Sequence, residues 1–416
     1  MTTDRLTALP VELLEHICHL VHDLDPTLYL GRVSSAFVPL ARQLVFRKVR
    51  TSGSGELSRL CEIVEGADEV GAAVKKLAVW CNDRCWPDDA AELPDARFSD
   101  LLARLPGLIV LSIVGTGRLV EVFLQPETAK FCQTLEHLHI VDPLRQWANP
   151  FDPAYWSALR HCPQLYTLEL DINRDGRSLA LHTQEVVPPR IESPFLWDIS
   201  LRGSLIGSFY ATPLLLMLPP CHSLTLTDTN PHGAWNTILQ MPDLLDDLPS
   251  PECLETLDVE ARADPSVPIR NIWDETLLRF PNLSDLSLGP CTYKPASFSR
   301  LAFPPALKAL TLYGHTPNLA ARDIKPLLSD PTRLPALESF TLDTIRVRDG
   351  GEFHAEGPVP GVPVVYWTED FSHGDMEEIV KIARERGVQL DGDAVWIVQD
   401  GEEWLQYDAE FEFTDF

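Results

Sequence analysis

One pattern of apolar residues recurs along most of the chain. From residue 74 onward, a six-residue motif of the form L-x-x-L-x-L returns ten times, from Val74–Val79 to Leu337–Leu342. Its fourth positions are residues 77, 111, 138, 168, 199, 224, 257, 286, 310 and 340, so successive motifs lie 24 to 34 residues apart. Apolar–polar alternation at the end of each motif predicts a short strand with one buried face. Between motifs, the sequence predicts helical or irregular segments such as Phe98–Leu105, Asn271–Phe280 and Ala320–Leu328.

The spacing of this motif indicates a repeat protein. A unit of this size cannot bury its apolar face alone, but a stack of such units forms a continuous core. A doubly wound α/β sheet also alternates strands and helices, yet no glycine-rich phosphate loop follows a strand in this sequence. We therefore expect residues 51–352 to form an irregular leucine-rich-repeat solenoid, an α/β horseshoe of about ten repeats. Insertions rich in Pro, Gly or charge are expected at Trp80–Ala96, Leu179–Pro194, Ala261–Arg270 and Arg348–Pro363.

The N-terminal stretch from Leu9 to Val49 has a helical pattern instead. Apolar residues recur there at three- and four-residue steps: Leu13, Ile17, Leu20 and Leu24. Pro10 suits a first helical turn, and Asp25-Pro26 predicts the start of a second helix. A third helix is expected to begin near Pro39. Three helices in about 45 residues make a very small core, so part of their apolar surface is expected to contact a partner.

This N-terminal stretch resembles an F-box. The matching positions, in order, are Leu9-Pro10, Glu12, Ile17, Leu20, Leu28, Leu30, Val33-Ser34, Phe37, Leu40-Ala41 and Phe46. Phe37 and Phe46 stand where the family frequently has Trp. In that family the module binds a Skp-type adaptor and so joins a cullin–RING ubiquitin ligase. The adaptor-binding residues that the resemblance implies are Leu9, Pro10, Glu12, Leu13, Ile17, Leu20, Leu30, Val33 and Phe37. The alternative is an ordinary three-helix start to a larger domain.

The repeats that follow resemble the leucine-rich-repeat half of F-box proteins. The fold class implied is α+β: an F-box at residues 5–50, a solenoid at 51–352 and a C-terminal cap at 353–416. In the last segment, Asp375–Arg386 predicts a helix that Gly387 ends. Asp400-Gly401 predicts a hairpin turn, and an acidic tail follows it. We expect this segment to cover the open edge of the last repeat, its acidic residues discouraging edge-to-edge pairing.

Composition narrows the classes of function. The 34 basic and 61 acidic residues give a formal net charge of −27, which argues against a nucleic-acid ligand. The longest apolar runs, such as Leu214–Leu218, are far too short to span a bilayer, and the N-terminus lacks the features of a secretory signal. Nine cysteines, an odd number, suggest reduced thiols in a cytoplasmic or nuclear protein.

The candidate chemistry in the sequence does not assemble into a catalytic or metal site. His16, His19 and His22 share a predicted helix with Asp23 beside them, but surface histidines are the simpler interpretation. Cys81 and Cys85 lack a second cysteine pair and a nearby histidine. No G-x-S-x-G elbow, P-loop or H-E-x-x-H occurs. We therefore expect a protein that is not an enzyme and has no metal or other cofactor.

Residues that alternate with the buried motif positions are the expected target-binding surface, because strand side chains alternate faces. The candidates are Trp80, His137, His139, Glu169, Asp171, Asp198, Arg202, Asp258, Glu260, Asp285 and Tyr313. One interpretation is a face with an apolar end and an acidic end that suits a basic target. The other is that an acidic protein simply has acidic strands.

The function expected from these patterns is that of a substrate-recognition adaptor in an SCF-type ubiquitin ligase. The F-box would bind the Skp-type adaptor, and the repeats would hold a target protein for ubiquitin-dependent degradation. One alternative is an F-box and repeat scaffold that acts outside a ligase. Another is an enzyme within the repeats, which would require a deep pocket with perturbed titratable groups.

Overall fold

The structure is a computed structural model. It describes residues 38–80, 95–115, 117–142, 157–172, 195–203, 219–228, 245, 248, 250–261, 276–289, 292–293, 298, 301–313, 319–343, 347–348, 364–365, 373–392 and 395. The chain divides into two compact units. The first comprises Met1–Arg174, His182–Ser200 and Met217–Pro219, and the second comprises Asp175–Leu181, Leu201–Leu216 and Pro220–Phe416.

Strands and helices alternate along the first unit. Its strands are β1 (Lys48–Ser52), β2 (Lys76–Trp80), β3 (Val110–Val114), β4 (His137–Asp142) and β5 (Thr167–Ile172), and β6 (Asp198–Gly203) starts in it. Its helices are α1 (Val38–Arg47), α2 (Ser54–Gly66), α3 (Asp68–Ala73), α4 (Asp95–Ala103), α5 (Gly117–Phe123) and α6 (Pro126–Ala129), with a 3-10 helix at Ser157–His161. From β1 to β5, each strand pairs in parallel with the next one along the chain.

The second unit repeats this organisation with fewer helices among its described residues. Its strands are β7 (Ser223–Asp228), β8 (Thr256–Ala261), β9 (Asp285–Leu288), β10 (Ala309–Tyr313), β11 (Ser339–Asp343), the short antiparallel pair β12 (Val347–Arg348) and β13 (Val364–Val365), and β14 (Gln389–Gly392). Its helices are α7 (Ala321–Ser329) and α8 (His373–Arg386), with 3-10 helices at Pro251–Cys253 and Thr276–Arg279. Strands β7 to β11 pair in parallel in chain order, and β14 pairs in parallel with β11.

The core of each unit is a stack of the motif's apolar residues. In the first unit Leu77, Leu111 and Leu138 lie side by side at the fourth position of successive motifs, and each is almost completely buried. In the second unit Leu257 and Leu286 are aligned in the same way. Each such side chain contributes about 1.5–3 kcal/mol when it leaves water, and no single repeat could bury it without its neighbours.

One backbone interaction recurs at the start of the strands. The carbonyl of Lys75, at the second position of its motif, accepts hydrogen bonds from the amides of both Ile109 and Val110, at 2.8 and 3.0 Å. The same pair of bonds from the next repeat is accepted by the carbonyls of Ile109, Glu136, Tyr166, His222, Glu255, Ser284 and Lys308. These eight repeats are therefore each held to the next one in a single register before the strand begins.

The predicted strands are confirmed, since all ten motifs end in one. Their parallel pairing, with helices between them, is consistent with the predicted repeat solenoid. The helical segments expected at Phe98–Leu105 and Ala320–Leu328 are α4 and α7, within three residues at each end. The segment expected at Asn271–Phe280 holds a 3-10 helix at Thr276–Arg279. No helix within the described ranges is long and apolar enough to cross a membrane.

Four described strands lie outside the ten motifs, and two of them, β1 and β14, pair in parallel with motif strands. Strand β1 begins at Lys48, inside the stretch assigned to the F-box, and pairs with β2. Strand β14 lies inside the expected cap and adds a parallel strand beside β11. Parallel strand pairing therefore continues on both sides of the ten motifs.

The F-box prediction falls mostly outside the described residues. Of its three expected helices, the third is described as α1, which packs against α3 and carries the half-buried Phe46. In the last segment, the helix predicted at Asp375–Arg386 is confirmed as α8. The Asp400-Gly401 hairpin and the acidic tail lie outside the described residues, as do the interiors of the four expected insertions.

Polar side chains attach α8 to α7. The Lys325 ammonium, on α7, lies 2.7 Å from an Asp375 carboxylate oxygen and also contacts Glu378. Hydrogen bonds to these two carboxylates raise the pKa of Lys325 above its ordinary value. The Arg386 guanidinium, on α8, donates to the carbonyl of Leu328 at 2.9 Å, and also to those of Leu327 and Leu334. It therefore satisfies carbonyls at the end of α7 that have no partner within that helix.

We predict that Arg386→Met lowers the free energy of unfolding by about 1–3 kcal/mol, because three carbonyls lose a charged donor. The matched control is Arg384→Met on the same helix, whose side chain is exposed and should be nearly neutral. Chemical denaturation of the two variants and the parent chain measures the difference. Equal unfolding midpoints for the two variants would contradict the role assigned to Arg386.

Candidate functional site

The outward faces of the strands are the candidate functional site. In every motif the fourth and sixth residues are buried, as Leu257 and Val259 are in β8. The residues that alternate with them, such as Asp258 and Glu260, face away from the core and are partly exposed. Because the strands are parallel and in register, outward residues of successive repeats form rows across each unit.

In the second unit, Tyr313 crosses a strand to reach Asp258. Its hydroxyl, on β10, donates a 2.8 Å hydrogen bond to Asp258 Oδ1 on β8, with β9 between them. Gly289 directly follows β9, and a Cβ atom there would lie only 2.9 Å from Tyr313 Cζ and 3.0 Å from Glu260 Cγ. The absence of a side chain at residue 289 therefore makes room for the Tyr313 ring, which lies beside both acidic residues of β8.

Asp258, Glu260 and Tyr313 form an acid–tyrosine cluster. Their surroundings raise the pKa of Asp258 and of Tyr313. Burial, and to a lesser extent the nearby negative charge of Glu260, raise the pKa of Asp258, whereas the hydrogen bond from Tyr313 lowers it; the net direction is upward. Burial and the Asp258 charge raise the pKa of Tyr313, so the phenol remains the proton donor in this bond.

The raised pKa of Asp258 couples its titration to stability. The folded state holds the proton more tightly than the unfolded chain, whose Asp has a pKa near 3.8. Ionised Asp258 therefore opposes folding above its folded-state pKa, and this cost disappears as the pH falls through that value towards 3.8. A cation bound at the cluster would favour the ionised form and would bind less well as the pH falls.

In the first unit, the outward face carries two separate polar contacts. The Arg50 guanidinium of β1 lies over the Trp80 ring, 4.0 Å from its centroid. His139 lies between two neighbouring strands, with Nδ1 3.2 Å from Ser112 Oγ and Nε2 4.0 Å from Glu169 Oε2. The histidine–carboxylate contact is an ion pair only when His139 is protonated.

Aromatic side chains lie together where β4, β5 and β6 begin. The Tyr166 and Trp197 rings are stacked, with centroids 6.4 Å apart and an interplanar angle of 6°. His137 meets the edge of Tyr166, also at a centroid distance of 6.4 Å. Phe195, two residues before Trp197, is the most exposed large apolar side chain among the described residues, at 62%.

The structure places every predicted target-binding residue on a strand, on its outward side. Asp258, Glu260 and Tyr313 form one cluster, and His139 and Glu169 form another contact. Of the others, Trp80 lies under Arg50 and His137 lies against Tyr166, and the outward sides of their strands also carry Asp171, Asp198, Arg202 and Asp285. Asp285 accepts a hydrogen bond from Ser284, and Arg202 is exposed. The predicted adaptor-binding residues, Leu9 to Phe37, lie outside the described residues, so their placement stays a prediction.

Sequence reasoning missed the partners of several of these residues. Arg50 lay within the stretch assigned to the F-box, and Gly289 carried no signal beyond its position after a motif. Tyr166 and Trp197 did carry one, because both occupy the second position of consecutive motifs. Within the described ranges, no group of three or more His, Cys, Asp or Glu side chains could hold a metal ion.

Comparisons with known proteins give little family information. No protein-family model and no curated protein matches the chain. Among solved structures 32 chains match, and one of them belongs to the crystal structure of the Rad7 and Elc1 complex in yeast. It has a TM-score of 0.33 and 16% sequence identity, and the match covers 80% of this chain and 87% of that chain. A likeness of this size carries no argument about the function of this chain.

We predict that two variants move the pKa of Asp258 in opposite directions. Tyr313→Phe keeps the ring but removes the hydrogen bond that favours the carboxylate, so the pKa should rise further. Glu260→Gln removes a nearby negative charge, so the pKa should fall. NMR titration of selectively labelled Asp side chains measures both shifts. Unchanged or reversed shifts would contradict the arrangement of the acid–tyrosine cluster.

Proposed function

We propose that this protein is a substrate-recognition subunit of an SCF-type cullin–RING ubiquitin ligase. The observation that carries the proposal is the F-box pattern within residues 5–50, in which about a dozen positions match without a gap. A parallel-sheet repeat organisation follows it, with outward rows of side chains that a target could contact. The F-box would bind a Skp-type adaptor, and the outward faces would bind the target.

The contribution of this chain to ubiquitin transfer would be proximity. Holding a target near the charged conjugating enzyme raises the effective concentration of its acceptor lysine, without covalent chemistry by the receptor. A receptor of this kind needs neither a catalytic site nor a cofactor. The described cysteines are free thiols, and burial raises the pKa of Cys132 to about 12, so its thiol stays protonated. Free thiols are compatible with a cytoplasmic or nuclear location.

We predict that changing Leu9 and Pro10 together to Ala abolishes binding of a Skp-type adaptor. These residues match adaptor-contacting apolar positions of the F-box, and the repeats should stay folded because they depend on contacts between neighbours. Pull-down of the adaptor, with circular dichroism of the purified variant, measures both effects. Persistent adaptor binding would overturn the F-box assignment. Recovery of the adaptor without cullin by the parent chain would favour the scaffold alternative.

We further predict that reversing Asp258 and Glu260 to Lys lowers the association rate of a captured target while adaptor binding is retained. The reason is the loss of attraction between an acidic face and a basic target, and the effect should shrink as salt rises. The matched control reverses the exposed Glu62 and Glu65 on α2, which carry the same charge away from the strands. An unchanged rate at low and moderate salt, in a variant that remains folded, would remove the acid–tyrosine cluster from the target-binding surface.

A further inference from the structure

The first unit exposes an aromatic patch, defined here as Tyr166, Phe195 and Trp197. The exposed fractions are 45% for Tyr166, 62% for Phe195 and 40% for Trp197. Exposed aromatic side chains that adjoin one another, rather than occurring singly, are typical of interaction sites. Their large rings also provide contact area at a low entropic cost on binding.

The repeat positions the two stacked rings, but its backbone hydrogen bonds do not need aromatic side chains there. Tyr166 and Trp197 occupy the second motif position, and the Trp197 amide donates a 3.0 Å hydrogen bond to the Tyr166 carbonyl. That bond uses only the backbone, and it forms equally well where the second position is charged. Glu136, Glu255 and Lys308 occupy the same position in other repeats, and their carbonyls accept the same bonds. The aromatic side chains therefore need an explanation other than the stacking of repeats.

Acidic residues occupy the strand positions next to those of the patch. Glu136 is exposed at the second position of the preceding motif, and Asp198 directly follows Trp197. Glu169 and Asp171 lie on the outward face of β5. The sequence of 136–142, 166–172 and 195–200 contains no Lys or Arg, and the first cation beyond it on β6 is Arg202. A nucleic-acid backbone or an anionic lipid surface would be repelled here, whereas a cationic protein segment would be attracted.

The same unit already shows how a guanidinium fits an aromatic ring of this chain. Arg50 lies over Trp80 with 4.0 Å between the guanidinium carbon and the ring centroid. A planar guanidinium stacks on aromatic faces and pairs with carboxylates, and it is more weakly hydrated than the ammonium of Lys. Stacked rings with carboxylates at their border therefore suit arginine better than lysine.

We propose that the aromatic patch and its acidic border bind an arginine-bearing segment of the target, with the guanidinium against the Tyr166–Trp197 stack. This assignment rests on the proposed function, because it names the chemistry of the target that the repeats hold. Phe195 supplies the apolar contact beside the cation, and Glu136 and Asp198 supply the opposite charge.

The test uses the full-length chain and a fluorescent peptide of repeated Gly-Leu-Arg, without any adaptor. Fluorescence anisotropy should show binding that weakens about tenfold in the Tyr166→Ala/Trp197→Ala variant, the sum expected for two exposed cation–π contacts. The control is Leu278→Ala, which removes an exposed apolar side chain elsewhere and should leave the affinity unchanged. Replacing arginine by the neutral citrulline in the peptide should weaken binding to the parent chain by a similar factor.

A second double variant distinguishes lost peptide binding from a folding defect. Glu136→Lys/Asp198→Lys keeps the aromatic rings and should also weaken binding of the arginine peptide, with an unchanged thermal melting profile. Equal affinity for the arginine and citrulline peptides, or full binding by both double variants, would overturn the inference. The adaptor pull-down is independent of these measurements. If the chain binds the adaptor but not the arginine peptide, the proposal for the aromatic patch is wrong and the ligase assignment stands. If it binds the peptide but not the adaptor, the ligase assignment is wrong and the proposal for the patch stands.

Discussion

The structure depends on a carbonyl at the second motif position that, in eight of the ten motifs, accepts hydrogen bonds from two amides of the next repeat. This pair of bonds recurs in both units, from Lys75 to Tyr166 and from His222 to Lys308. It fixes the register at the start of the strand, and the fourth and sixth motif residues then reach the core together. A shift of one residue would bring the polar outward row into the core, so this bond and the apolar pattern specify the same arrangement.

The same constraint creates the surface available for binding. Because the register holds, outward side chains of neighbouring repeats adjoin one another and can act together. Tyr313 reaches Asp258 across an intervening strand, and it can do so because residue 289 is glycine. Tyr166 and Trp197 stack because their motifs place them one repeat apart. The repeat determines where each outward side chain lies. Burial in the core does not restrict which residue type stands at these outward positions, so their chemistry can vary.

The apolar pattern predicted all ten motif strands and the outward residues, because apolar and polar residues alternate along a strand that has one buried face. It missed β1 and β14 for a physical reason. Thr51 in β1 and Gly392 in β14 align with the sixth motif position, so the alternation is incomplete. Gly392 has a φ of 88°, and a Cβ atom there would lie 2.5 Å from the Leu342 carbonyl oxygen. The contacts of the candidate site were less predictable, because the hydrogen bond between Asp258 and Tyr313 spans 55 residues of sequence.

The proposed function divides the chain into an adaptor-binding stretch and a target-binding stretch, and the structure indicates where to separate them. Helix α1 packs on α3 and β1 pairs with β2, so a deletion should end before Val38. The most direct measurement is quantitative affinity purification of the intact chain beside a chain that lacks residues 5–37. We predict that the shortened chain loses the Skp-type adaptor and cullin but retains the same target proteins, at higher abundance because they escape degradation. Retention of the adaptor by the shortened chain, or loss of all targets from a folded one, would contradict it.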